Sequence, residues 1–326
     1  MAANNCFMNR RNFLLTTAST GLSYVASSRL GANESTQKRS HKEYIDCHVH
    51  LTQPWYGDER SVVTVNHLLR WMDAHEIAKA AVLPLVSPEA FWYPVTTEFV
   101  LRATRPHRDR LVPFCAIDPR AQVTHLPAKK DVVDVLTRYK EAGARGFGEH
   151  KPMLPIDDPL CMRLYEACSE VKLPLLFHLD NFANMDAPGL PGLEKALTAF
   201  PDLNFIGHGK GWWASIAGGI HQADLQVGYP RGPVAPGGAI ERLMTKHANL
   251  YGDLSSSGAH AMLRDPTFGG KFLARWASRL LFGTDYYDPA TQKEFAQFDL
   301  FDQLKTPSDA VDAITRNNAQ RLFNLA

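Results

Sequence analysis

The sequence lacks any run of about 18 uncharged apolar residues, which excludes a multi-span membrane protein. It also lacks a surplus of either charge: 35 Lys and Arg stand against 34 Asp and Glu among 326 residues, a net charge of +1. A protein that grips nucleic-acid phosphates normally carries a basic surplus, so no nucleic-acid partner is expected. Cysteine is scarce, five in all and none in a C-x-x-C pair, which argues against a disulfide scaffold or a zinc finger. Heptads, collagen-like triplets and low-complexity tracts are missing. Several catalytic signatures are missing too. Gly252-Asp253-Leu254-Ser255 has the wrong spacing for a G-x-S-x-G elbow. His75-Glu76 lacks the second histidine of H-E-x-x-H, because Lys79 stands there. Gly207-His208-Gly209-Lys210-Gly211 makes a poor dinucleotide loop, with a histidine in the turn and no suitable acidic residue after it.

What is present is ordinary globular composition, 45% apolar and 21% charged, enough to fill a core. Residues 1–32 read as an address. Asn9-Arg10-Arg11-Asn12-Phe13-Leu14-Leu15 is similar to a twin-arginine export motif, followed by an apolar stretch and small residues where a peptidase could cut. The segment holds three basic residues and no acidic one, leaving 32 against 34 in the remainder. Export to the periplasm follows as an expectation, with no stable membrane span once the signal is removed. Export also makes disulfides chemically feasible. Cys161 and Cys168, however, lie roughly 10 Å apart along one helix, beyond disulfide reach, and read as buried thiols. Residues 33–42 read as a polar linker.

From residue 43 onward, short apolar runs alternate with amphipathic stretches. The candidate strands are 44–50, 80–85, 111–117, 144–149, 175–178, 204–208, 250–254 and 280–285. Most are continuously apolar, as strands buried on both faces are. Helices are expected at 62–75, 132–142, 160–171, 239–246 and 308–325, the last with Ser308 as N-cap. Eight such units over residues 43–326 predict a single-domain α/β protein, a (β/α)8 TIM barrel. An open doubly wound sheet is the alternative, but it usually carries a glycine-rich loop after its first strand, and here that strand ends in His48-Val49-His50.

Side chains alternate along a strand, so His48 and His50 point the same way, about 6.5–7 Å apart, and can close on one ion while Cys47 and Val49 face the helix layer. The fourth strand ends in Glu149, the fifth in His178, the sixth in His208 and the eighth in Asp285. Metal-type donors therefore fall at the C-terminal strand ends, the rim where barrel active sites form. Each has a structural alternative. His178 could be a satisfied core histidine, Asp285 a helix cap, and Glu149 a carboxylate paired with Lys151 or Arg145.

On Asp46-x-His48-x-His50, Phe177-His178, Gly207-His208-Gly209, Phe282-Gly283-Thr284-Asp285 and the closing Asn318–Leu325, the sequence resembles the amidohydrolase superfamily, and within it the amidohydrolase-related (amidohydrolase 2) group of metal-dependent barrel enzymes. The resemblance implies His48, His50, His178 and Asp285 as ligands of a divalent metal, one ion or two; imidazole and carboxylate donors without thiolate suit Zn²⁺ foremost, and also Mn²⁺, Fe²⁺ or Ni²⁺. It implies Asp285 and His208 as the catalytic acid–base groups, with Glu149 as a further ligand where the fourth strand turns it inward. The expected reaction is hydrolysis of a small ester, lactone or amide by a metal-activated water. The same family implies a non-oxidative decarboxylase or lyase as the alternative. A binding protein without turnover is a third reading, which the intact donor set disfavours.

Three neighbouring features are expected to shape the pocket. The thirty-residue Gly- and Pro-rich stretch 209–238 reads either as a lid or as a surface excursion with its own small core. It carries Trp212, Trp213, His221, Tyr229 and Arg231, of which the two tryptophans are the candidate substrate contacts. Ser255, Ser256 and Ser257 could line the cavity. Lys151, Lys210 and Arg231 could meet a substrate carboxylate, with Lys151 the foremost. The partner expected is a small molecule. The oligomeric state stays open, a homo-oligomer included.

Overall fold

Parallel pairing of short buried strands organises the computed structural model, which describes residues 43–53, 59–86, 94–123, 129–227 and 232–325. The segments read as export signal and linker, and Tyr229 and Arg231, lie outside the described residues. The strands are β1 (Tyr44–Val49), β2 (Ile77–Val82), β3 (Leu111–Pro113), β4 (Phe147–His150), β5 (Leu175–His178), β6 (Phe205–His208), β7 (Leu250–Asp253) and β8 (Leu280–Leu281). All are parallel, ordered β1-β2-β3 and β4-β5-β6-β7-β8. Two seams join these sets. The Cys115 amide donates to Gly146 O and the Gly148 amide to Cys115 O, both at 2.9 Å, beside β3 and β4. The Cys47 amide donates to Phe282 O at 2.9 Å and the Asp285 amide to His48 O at 2.8 Å, beside β1 and β8. The sheet thus closes on itself, consistent with a (β/α)8 barrel.

Between the strands run α1 (Val65–Ala74), α2 (Thr97–Thr104), α3 (Lys129–Glu141), α4 (Pro159–Val171), α5 (Pro191–Ala199), α6 (Lys210–Ala214), α7 (Asp224–Val227), α8 (Ala239–Lys246), α9 (Gly258–Leu263) and α10 (Pro266–Trp276). After β8 come α11 (Leu300–Gln303), α12 (Ser308–Asp312) and α13 (Asn318–Leu322). Their starts are local chemistry: Thr64, Thr96, Asp158 and Asp265 each accept an amide of the first turn, with Pro159 and Pro266 at the first helical position. Ser308 does not act as a cap. Pro307 takes that place, because its fixed φ suits the turn into the helix, and Ser308 is the first helical residue.

Two apolar layers result. Val49, Leu175, Phe177, Phe205 and Phe282 pack outward in the large core beneath the helices. Ile45, Ala81, Phe114, Leu176, Ile206 and Leu281 fill the barrel and meet Ala319 and Phe323 of the closing helical segment. Cys47 belongs to this inner set rather than to the helix layer, two residues on from the inner Ile45; the β1–β2 register then slips between Asp46 and Val49, and Val49 falls in the outer core. Two residues beyond the inner Leu176 and Ile206 stand His178 and His208, so the period-two row that is apolar below turns polar at the strand ends. Cys161 and Cys168 are buried free thiols, as are Cys47 and Cys115.

Candidate metal centre

The β1 slip turns both histidine rings into the barrel mouth, buried, with Nε2 atoms 3.1 Å apart. Their other nitrogens are engaged. His50 Nδ1 donates to Leu83 O at 2.9 Å; a carbonyl only accepts, so His50 presents a bare Nε2 lone pair to the site. His48 Nδ1 donates to Asp253 Oδ2 at 2.8 Å. Burial disfavours a charge on His48, yet Asp285, Asp253 and Glu149 raise its pKa well above the usual value. The surrounding carboxylates therefore demand positive charge beside His48 Nε2, as a proton or as a cation.

The spacing suits a cation. Four donors about 2.1 Å from one tetrahedral ion lie about 3.4 Å from each other. Asp285 Oδ1 is 3.6 Å from His48 Nε2 and 3.5 Å from His50 Nε2; Glu149 Oε2 is 3.8 Å and 3.5 Å from the same atoms. His48, His50, Glu149 and Asp285 thus frame a space of the right size for one divalent ion. Glu149 faces inward on β4. Its Oε2 has no hydrogen bond of regular geometry, although the Lys151 ammonium presses against it. Burial would raise the Glu149 pKa, but Lys151, His178 and His48 hold it well below the carboxylate range.

His178 stands beside Glu149 rather than directly against the β1 pair. Its Nδ1 is 2.8 Å from Glu149 Oε1 and its Nε2 is 3.1 Å from Asp180 Oδ2, so each ring nitrogen faces a carboxylate. His208 Nε2 points at Glu149 Oε1 and at Asp285 Oδ2, each 3.8 Å away. Among the described residues, the donor groups tight enough for an ion are His48–His50–Glu149, His48–His208–Asp253 and Glu149–His178–His208, all sharing members. Asp285 reaches the site from a left-handed backbone (φ 56°), pinned by its amide donating a hydrogen bond to His48 O and by Gln292 Nε2 donating to its carbonyl at 2.7 Å. Its side chain is 15% exposed, against 1% for Glu149 and 0% for Asp253, so it is the carboxylate best placed to meet a substrate.

Three supports escaped the sequence reading. Asp253, on β7, accepts from His48 and from Ser255 Oγ (2.7 Å), and Ser255 Oγ lies 2.8 Å from His208 Nδ1. Burial would raise the Asp253 pKa, but hydrogen bonds from His208 and His48 hold it far below the usual value. Asp46 accepts the amides of His48 and Thr284 and the Thr284 hydroxyl, tying β1 to the chain after β8; burial lifts its pKa to about 7. Asp180 braces His178. The signal for Asp253 was available: an acidic residue closing an apolar strand on the inward phase, as Asp285 does.

The tryptophans are placed otherwise than expected. Both are wholly buried on α6. Trp212 packs over Gly207 and edge-on to Phe177, and Trp213 Nε1 donates to Asp253 O at 2.9 Å. Neither presents surface to a substrate here, because the turn after Gly209 folds α6 back onto the strands. Lys151 lies at the site, its side chain 12% exposed; Lys210 is exposed. Ser255 is buried in the hydrogen-bond network, while Ser256 is exposed. No helix among the described residues is long and apolar enough to cross a membrane.

The family model described as Amidohydrolase matches residues 45–325. Among solved structures, the probable 2-pyrone-4,6-dicarboxylic acid hydrolase of Acinetobacter baumannii, with citric acid bound, is 16% identical with a TM-score of 0.54, over 86% of this chain and 99% of that one. The 5-carboxyvanillate decarboxylase of Sphingomonas paucimobilis is 15% identical with a TM-score of 0.55, over 87% and 100%. A dihydroxybenzoic acid decarboxylase of Polaromonas, with manganese and the inhibitor 2-nitroresorcinol bound, is 16% identical with a TM-score of 0.53, over 87% and 97%. At such identities the likeness speaks for the fold alone. No curated protein matches the sequence.

Proposed function

The chain belongs to the amidohydrolase family of metal-dependent enzymes, and from that premise we propose that it hydrolyses a small ester, lactone or amide. His48, His50 and Asp285 would hold one divalent ion, with Glu149 and His178 the groups at hand to complete the set. Imidazole and carboxylate donors without thiolate suit Zn²⁺ and Mn²⁺ alike. When bound, such an ion polarises a carbonyl oxygen and lowers the pKa of a coordinated water from about 15.7 toward about 7.

The observation that carries the reading is the place of Asp285. It is the most open of the three carboxylates nearest the β1 histidines, beside both Nε2 atoms and 3.8 Å from His208 Nε2. It can hold the attacking water and accept its proton, and His208 can pass that proton to the leaving group. Glu149, deeper and pressed by Lys151, fixes the far side of the site.

A decarboxylase is the second reading. Lys151 supports it: a cation at the site suits a carboxylated substrate, and hydrolysis of a neutral ester does not need one. Assaying the metal-loaded protein against lactones, esters, amides and aromatic carboxylates separates the two. Acid release without CO2 is expected; CO2 release without acid release overturns the hydrolase reading. Export through the Arg10-Arg11 segment is a separate proposal, supported by its sequence pattern. Cell fractionation of the wild type and an Arg10→Lys/Arg11→Lys variant tests it.

A further inference from the structure

Among the described residues two large apolar side chains are left exposed, Phe182 and Tyr287. Tyr287 is 39% exposed and lies two residues beyond Asp285, in the chain that leaves β8. Among the described residues its ring touches no other ring and its hydroxyl has no hydrogen-bond partner.

The backbone settles where this side chain points. Tyr286 pairs with Val49 as an extension of the sheet, and its carbonyl accepts the His50 amide at 2.9 Å. Its ring goes outward, stacked on Trp71 with centroids 4.1 Å apart and set edge-on to Phe295. Side chains alternate along an extended chain, so the next residue turns to the other side, over the barrel mouth. One side chain braces the turn. Gln292 Oε1 accepts the Tyr287 amide at 2.7 Å and the Asp288 amide at 2.9 Å, while Gln292 Nε2 donates to Asp285 O at 2.7 Å. The Tyr287 hydroxyl stands in the field of Asp285, Asp288 and Glu149. Glu149 sits on β4 with a side chain only 1% exposed, so a hydroxyl that feels it lies toward the metal centre, not out over the helices.

An exposed ring alone is ordinary. A ring held by a braced turn beside the ion's donors, with a free face and a free hydroxyl, is a ligand contact made in advance, and little freedom is left to lose on binding. We propose that Tyr287 is a specificity-determining residue of the metal centre. Its ring covers the part of the substrate that projects from the ion, and its hydroxyl donates a hydrogen bond to a substrate oxygen. The inference rests on the metal centre of the proposed function and holds for either reaction there.

Calorimetric titration of the Mn²⁺-loaded full chain tests this with two hydroxamates, which grip a divalent ion through two oxygens. Acetohydroxamate projects a methyl group and benzohydroxamate a ring. The wild type should bind benzohydroxamate about tenfold tighter than acetohydroxamate. Tyr287→Ala should lose that preference, and Tyr287→Phe should keep it while binding both probes about 2- to 10-fold more weakly. Both variants change a partly exposed side chain and should match the wild type in metal content and melting transition. A preference that persists in Tyr287→Ala, or wild-type affinities in Tyr287→Phe, overturns the proposal and leaves the metal centre standing. So does loss of metal in either variant, because Tyr287 would then act on Asp285 rather than on the ligand. Hydroxamate binding that is absent in the loaded wild type, or that needs no metal, overturns the metal centre and this inference with it.

Discussion

Asp253 Oδ2 lies 2.8 Å from His48 Nδ1, although 205 residues separate the two in the chain. Through Ser255 Oγ the same oxygen is linked to His208 Nδ1. One buried carboxylate on β7 therefore orients rings on β1 and β6, leaving their Nε2 atoms to face the site. This makes Asp253 a positioning residue: it touches neither the framed space nor the mouth, yet it decides where two donors point.

The first prediction follows from that link. Asp253→Asn keeps the volume but removes the charge that holds the His48 tautomer. Metal affinity should fall about 10- to 100-fold, read by titrating Mn²⁺ or Zn²⁺ into metal-depleted protein. Ser255→Ala should cost less, because the direct bond from His48 to Asp253 remains. Unchanged affinity in Asp253→Asn would show that His48 is oriented by other means.

The second concerns the ion itself. His48→Ala and Asp285→Ala should each lose bound metal, measured by elemental analysis of purified protein. Chelation of the wild type should lower its melting temperature, since a ligand at about 100 times its Kd stabilises by about 2.7 kcal/mol. Equal metal content in the wild type and both variants would break the assignment.

Much of this was legible before folding because strands buried on both faces write themselves as apolar runs, and because their polar ends are chemically conspicuous. The strand alternation and the convergence of His48, His50, His208 and Asp285 came from that. What stayed hidden depended on register. The slip between Asp46 and Val49 breaks the alternation, so that Cys47 faces the barrel and Val49 the helices, a backbone event that no side-chain pattern announces. The phase of Glu149 could not be read without the β4 register. Asp253 was read only as part of a failed Gly-x-Ser-x-Gly motif. Trp212 and Trp213 stood in a long Gly-rich connection, where aromatic residues line cavities or fill cores, and only the packing over Gly207 decides.

The third prediction tests that placement. Trp212 is wholly buried, so Trp212→Ala should destabilise the fold by about 3–5 kcal/mol. Trp213→Phe removes a hydrogen bond to Asp253 O, costing about 1 kcal/mol. In chemical denaturation both should shift the midpoint, Trp212→Ala more. In activity assays on folded protein Trp213→Phe should leave KM unchanged. A raised KM at unaltered stability would return the tryptophans to the substrate site.

The fourth lies far from the metal. Glu194 on α5 accepts from Arg242 (2.6 Å) and Lys246 (2.7 Å) on α8. The hydrogen bonds from Lys246 and then Arg242, against a weaker effect of burial, lower its pKa from 4.5 to about 2. A depressed carboxylate pKa adds stability that is complete above the unfolded value and fades as pH falls toward the folded one. Arg242 and Lys246 are 48% and 60% exposed, so solvent screens the pairs and the gain is about 0.2–1 kcal/mol, less in salt. Glu194→Gln should therefore be slightly less stable than the wild type near neutral pH, and the gap should close between about pH 4.5 and about pH 2. Urea titrations at several pH values, repeated in high salt, read it out. A gap that persists in full at the acid end would mean that Glu194 joins α5 to α8 by packing, not by charge.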